Sequence, residues 1–287
     1  MRRTLSSVLG CTVLLGCTTP AMASEYRTEL GARLSATEYG SDDSTRGLQL
    51  DGRIYFSPVQ TETHPLAEAA FLERVGSVGL LGSLLEFESS DGDKADGSAY
   101  GISVDYRRPG KALVLGASGI QTRADDGNFT ADSTFWSLSA GAYVATATTV
   151  AVAYSSNELD SDFGDTTTTS WTLGVRSVIK TSNDKAWAWS ANLGTQETDF
   201  DGYSSDLHSL GGSLTYYPSR YTGFGGALTL TADDFKSLAD GGRVAVFVRH
   251  FVNPAFSFGF GYEHDDTDNS SDGARADRFT ATAAVRF

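Results

Sequence analysis

The chain has 287 residues, with 36 Asp and Glu against 22 Lys and Arg and a net charge of −14. It therefore lacks the clustered cations that phosphate backbones demand, and nucleic acid is excluded as an expected partner. Beyond the N-terminus nothing approaches ~18 uninterrupted apolar residues, so no transmembrane helix is available and only a closed barrel could span a membrane.

In chain order, the first expected element is an export signal. Arg2 and Arg3 precede an apolar stretch from Val8 to Gly16 that is too short for a bilayer, and Ala21-Met22-Ala23 reads as a cleavage site. This predicts a signal peptide over 1–23 and one mature domain over 24–287. A rival reading takes Leu14-Leu15-Gly16-Cys17 as a lipoprotein box with Cys17 lipidated, but Tyr26 already opens a strand and leaves no tether. Cleavage after Ala23 removes both Cys11 and Cys17, so the mature chain has no disulfide, thiolate metal or redox site.

From Tyr26 onward one unit repeats: about ten residues alternating apolar with small or polar, then a turn or an acidic loop. Alternation with period two means strands with one apolar and one polar face. Such units fall near 26–39, 47–57, 75–89, 98–107, 112–123, 134–145, 149–158, 169–180, 186–198, 207–217, 222–232, 243–252, 255–264 and 277–287. The fold class predicted is all-β, an antiparallel transmembrane β-barrel of about fourteen strands, twelve or sixteen being the alternatives.

Connections alternate in length, as a barrel with short periplasmic turns and long outer loops requires. Arg107-Arg108-Pro109-Gly110 and Asn253-Pro254 are short, whereas the Asp-rich loops at 159–168 and 265–276 are long. The exception is Pro58–Arg74, a long connection on the short-turn side. Its core from Pro65 to Phe71 predicts a short helix or cap beneath the barrel. Aromatics give an independent test, because Trp and Tyr favour the headgroup belts. Tyr106, Trp187, Trp189, Tyr216, Phe256 and Phe287 fall at periplasmic strand ends, and Trp136, Trp171, Tyr262 and Phe279 toward outer ends.

In the final strand, Arg278–Phe287, the residues Phe279, Ala281, Ala283, Val285 and Phe287 share one face. This segment resembles the C-terminal strand of Gram-negative outer-membrane proteins. The resemblance implies that Phe279, Val285 and Phe287 form a signal read by the barrel-assembly machinery. Across the rest of the chain the resemblance is to small porins, through the pattern of strands, turns and loops. It implies an integral outer-membrane channel for passive diffusion of small hydrophilic solutes or ions, with outer-membrane lipid and lipopolysaccharide as surroundings.

Barrel enzymes need a converging nucleophile and base. His64, His208, His250 and His264 are scattered, and His208 and Ser209 must face opposite ways as strand neighbours, so no enzyme and no cofactor are expected. Asp265-Asp266-Thr267-Asp268-Asn269 lacks the Gly and Glu of a calcium loop, so no metal is expected either. The polar face instead places Arg33, Arg53, Arg107, Arg176, Arg243, Arg249, Arg278 and Arg286 against Glu29, Asp51, Asp105 and Glu263. Of these, Arg33, Asp51, Arg53, Asp105, Arg176, Arg249, Glu263 and Arg278 are the expected pore-lining set, with the arginines favouring anions. Inward residues elsewhere, among them positions 137, 139, 155, 172, 190, 192 and 213, are too small to fill a barrel wider than eight strands. Three readings follow: a monomeric porin; a structural or adhesive barrel whose loops bind a partner; and, with least support, a barrel enzyme.

Overall fold

A computed structural model describes residues 24–40, 43–125, 127, 130–162, 164–181, 185–200, 203–233, 241–267 and 274–287. The expected signal peptide, and Asp268 and Asn269 of the residues compared with a calcium loop, lie outside them. Fourteen strands run in chain order: β1 Glu25–Tyr39, β2 Ser44–Gln60, β3 Ser77–Glu88, β4 Lys94–Arg107, β5 Leu113–Asp125, β6 Thr130–Ala145, β7 Thr148–Ser161, β8 Thr166–Lys180, β9 Ala186–Phe200, β10 Tyr203–Ser219, β11 Thr222–Ala232, β12 Gly241–Asn253, β13 Phe256–Thr267 and β14 Ala274–Arg286. Each pairs with its sequence neighbours and β14 returns to β1, so the sheet is a closed antiparallel barrel.

The closing seam pairs Leu30 with Val285 and Leu34 with Ala281. Phe287 continues it beyond the last strand, its carbonyl accepting the backbone N–H of Arg27 at 2.7 Å and its own N–H reaching Thr28 at 2.9 Å. Closure satisfies every edge, the condition for a sheet in hydrocarbon.

Several strands extend beyond their expected limits toward the long loops: β2 starts at Ser44, β6 at Thr130, and β7 ends at Ser161. Polar and acidic residues there keep pairing although the apolar alternation that marks the hydrocarbon zone has ended.

The outer surface carries the large apolar side chains, including Leu34, Leu50, Ile54, Leu80, Leu138, Leu173, Leu210 and Phe260, all exposed. In water such a surface would aggregate; facing acyl chains it is the stable arrangement. Trp136, Tyr154 and Trp171 make one aromatic run across β6, β7 and β8, with ring centroids 5.3 and 4.9 Å apart. Trp187, Tyr216 and Phe224 make another toward the short-turn end.

The buried apolar clusters lie where the 61–76 connection meets the barrel. One gathers Phe71, Tyr143, Val178, Ala186, Ala188 and Tyr217; the other gathers Tyr26, Tyr55, Val59, Ala69 and Val75. The connection was expected beneath the barrel. It does form a short helical segment, but it packs into the mouth, where Leu66, Ala69 and Phe71 are buried.

Candidate functional site

The 61–76 connection, here the strap, forms from a short helical code. Pro65 sets the entry at φ −53, a 3₁₀ turn covers Leu66–Glu68, and α1 spans Ala69–Leu72, within an alanine-rich stretch that favours helix. Arg74 ends it at φ 56, a left-handed conformation that costs an L residue roughly 1–2 kcal/mol. Its guanidinium offsets that cost by donating to the carbonyls of Lys111 at 3.2 Å and Thr146 at 3.0 Å while covering the Tyr143 ring.

The strap's anchors encircle the barrel. Thr61 bonds Ser24 beside β1, and the Tyr143 hydroxyl on β6 donates to the Phe71 carbonyl at 2.7 Å. Lys180 on β8 donates to the Thr63 carbonyl at 2.6 Å, the Leu66 N–H reaches Arg220 after β10 at 2.9 Å, and Arg286 on β14 donates to the Leu66 carbonyl at 3.0 Å. Fourteen strands make a ring roughly 28 Å across at the backbone. The strap leaves from β2 and reaches β8 and β10 on the opposite side, so it crosses the mouth at the short-turn end.

Glu68 is its polar centre. Only 5% exposed, it accepts the Tyr217 hydroxyl at 2.8 Å and pairs with Arg176 at 2.5 Å. A buried carboxylate is tolerated only when so partnered. Phe71 lies under both Arg176 and Arg107, 4.7 and 5.5 Å from its ring. Arg107 itself bonds Asp105 at 2.5 Å.

Above the strap is a cavity of about 780 Å³, to which Arg33, Asp51, Arg53, Arg176, Arg249, Glu263 and Arg278 all contribute. Asp105 does not; it stands with Arg107 beside Phe71. Cross-strand register explains the grouping. Glu29 sits between Arg53 and Arg286, Gly31 between Asp51 and Ala284, and Arg33 between Gln49 and Thr282. A Cβ at Gly31 would lie 2.6 Å from the Asp51 carboxylate, so glycine lets that side chain cross onto β1. Charges therefore crowd one wall, β12 through β14 with β1 and β2.

The opposite wall is uncharged over its middle. Ser103, Ser118, Ser137, Ser155 and Ser170 are successive cross-strand partners from β4 to β8. Ser118 and Ser137 hydroxyls are 2.8 Å apart, and Ser155 and Ser170 hydroxyls 3.1 Å.

Ion pairing uses much of the charged wall. Arg286 bonds Glu29, Arg278 meets Glu263 at 3.2 Å, and Arg243 meets Asp265 at 2.6 Å. Arg249 holds Ser257 and stands 4.0 Å from Glu29. Sequence reasoning placed Arg107, Arg176 and Arg286 on the polar inner face, and there they also fasten the strap, Arg176 while still lining the cavity. It missed Glu68, Phe71, Tyr143 and Tyr217. The available signal was Glu68 itself, the lone charge within Pro65–Leu72.

The histidines do not converge. His264 bonds Asp277 at 2.8 Å, His250 bonds Thr222 at 2.9 Å, and His64 bonds Glu73 within the strap. Among the described residues no cluster of three or more metal-ligating side chains is present.

An apolar exterior, a polar and charged interior and a seam that leaves no free edge define an integral outer-membrane channel barrel. The chain belongs to the family described as "Putative general bacterial porin", whose profile matches residues 2–177. No curated protein sequence matches it. Among solved structures, it is similar to the outer membrane protein Omp33 of Acinetobacter baumannii, at 17% identity and a TM-score of 0.58, over 92% of this chain and 99% of that one. It is also similar to the CymD monoaromatic hydrocarbon channel, at 10% identity and a TM-score of 0.54, over 92% and 89% of the two chains. At these identities the likeness concerns the fold.

Proposed function

We propose that this channel passes small hydrophilic solutes by passive diffusion along the charged wall, with the strap setting its narrowest point. The carrying observation is the segregation of charge: Arg33, Arg53 and Arg249 face the same cavity as Asp51, over a floor made by Ala67 and Glu68. Opposed fixed charges order water and sort solutes by sign. The arginines outnumber the uncommitted carboxylates, which supports a preference for anions.

In this reading the chain acts as a monomer and a passive channel; among the described residues His64, His250 and His264 are each engaged at separate places in the barrel. Cleavage after Ala23 precedes insertion, the alternating face ending at Phe279, Val285 and Phe287 addresses the assembly machinery, and the acidic outer rim meets lipopolysaccharide. Purified protein in planar bilayers is expected to give stepwise conductance. Folded protein that stays silent, with or without the strap anchored, would instead favour the structural or adhesive barrel.

A further inference from the structure

We propose that the cavity above the strap is a binding site for small hydroxylated carboxylates, of the size of a six-carbon sugar acid; this rests on the channel reading and names its substrate class. The first support is the balance of charge after internal pairs are formed. Arg286 serves Glu29, Arg176 serves Glu68 and Arg278 serves Glu263. Arg33 and Arg53 then remain on the cavity wall against Asp51, beside Arg249, which holds Ser257 and stands 4.0 Å from the already paired Glu29.

Arg33 has no ion pair within 4.0 Å among the described residues. It shares a circumferential row with Arg249, separated only by Thr282 and Gly259. Gly259 adds no side chain between them, so on that row only Thr282 stands between the two arginines. A guanidinium presents paired donors matched to a carboxylate, and it does so more strongly where water is partly excluded.

The second support is the rest of the lining. Ser190, Ser213, Thr280 and Thr282 bring four hydroxyl groups to the same cavity, while Thr215 is buried in the wall and Ser257 is buried against Arg249. Hydroxyls donate and accept, so they replace the water that a polyol sheds on entry. A simple fatty acid would leave them unmatched; a neutral polyol would leave the arginines unmatched. A ligand with both groups satisfies both, and about 780 Å³ holds one such molecule together with bridging water.

The test is equilibrium binding by calorimetry on the folded full chain in nanodiscs. The probes are D-gluconate, D-sorbitol, which keeps the hydroxyls without the charge, and butyrate, which keeps the charge without the hydroxyls. Gluconate is expected to bind at least tenfold more tightly than either. Arg33→Gln combined with Arg249→Gln is expected to weaken gluconate at least tenfold and leave sorbitol where it was. Butyrate or sorbitol within threefold of gluconate would overturn the proposal, as would unchanged gluconate affinity in the double variant. The wild-type comparison decides even where the variant does not fold. Absent gluconate binding in protein that conducts KCl sinks the site and leaves the channel standing; silent bilayers from protein that binds gluconate do the reverse.

Discussion

Tyr217 donates its hydroxyl to Glu68 at 2.8 Å from the side of the barrel opposite the point where the strap begins. One carboxylate thus ties a segment leaving β2 to β10, and through Arg176 to β8. Replacing Glu68 by Ala removes both ties. Arg176 keeps partial access to solvent, so the cost falls on strap docking, about 1–3 kcal/mol, rather than on the barrel. Single-channel conductance is expected to rise several-fold in Glu68→Ala and more modestly in Tyr217→Phe. Currents identical to wild type in both would mean that the strap does not limit flow.

Phe71→Ala probes the apolar side of the same contact. The ring is nearly buried against Tyr143, with Arg107 and Arg176 over it. Removing a buried aromatic side chain costs about 3–5 kcal/mol when the site cannot collapse. The barrel's own hydrogen bonds are complete without the strap, because β14 closes on β1. The expected result is therefore local: faster protease cleavage within 61–75, with unchanged resistance of the folded barrel to unfolding in detergent. A barrel that unfolds together with the strap would show that the two are one cooperative unit.

Much of the barrel was legible because its cause is local. Lipid on one side and water on the other impose period-two alternation on every strand, so Phe279 through Phe287 or Trp136 through Val144 declare their facing without knowledge of the rest. Strand ends were less legible, since Thr130 and Ser161 pair outside the zone where apolar side chains mark the pattern. The strap was not legible in position, because Glu68 meets Arg176 and Tyr217 more than a hundred residues away and nothing local encodes that meeting. Alternation likewise put Arg107, Arg176 and Arg286 on the inner face but could not say that a helix would come to them.

The strap also carries a titratable group outside the membrane-spanning strands. Burial pushes the His64 pKa below its usual value; the Glu73 carboxylate opposes that shift and Lys180 reinforces it. The docked strap therefore favours neutral His64. Its contribution is present above the ordinary histidine pKa, about 6.5, and is lost as pH falls through the lower docked value. Protease cleavage within 61–75 is expected to accelerate between pH 7 and pH 5, and His64→Gln is expected to flatten that dependence. An equal acceleration in the variant would assign the effect to Glu73 or another acid.

Selectivity tests the charged wall directly. Arg33 and Arg53 lie on adjacent strands, two register steps apart, with Asp51 and Gly31 between them. Deleting both guanidinium groups leaves Asp51 facing the cavity with Arg249, and cancels the local excess of positive charge. Because these groups stand within an enclosed space, salt screens them less than it screens surface charges. In a KCl gradient the reversal potential of Arg33→Ala combined with Arg53→Ala is expected to move toward the potassium equilibrium potential, and the shift should shrink in molar salt as the Debye length falls to about 3 Å. Asp51→Asn is expected to move it the other way. A potential indifferent to all three changes would place the conducting path away from β1 and β2, along the serine wall where no fixed charge can sort ions by sign.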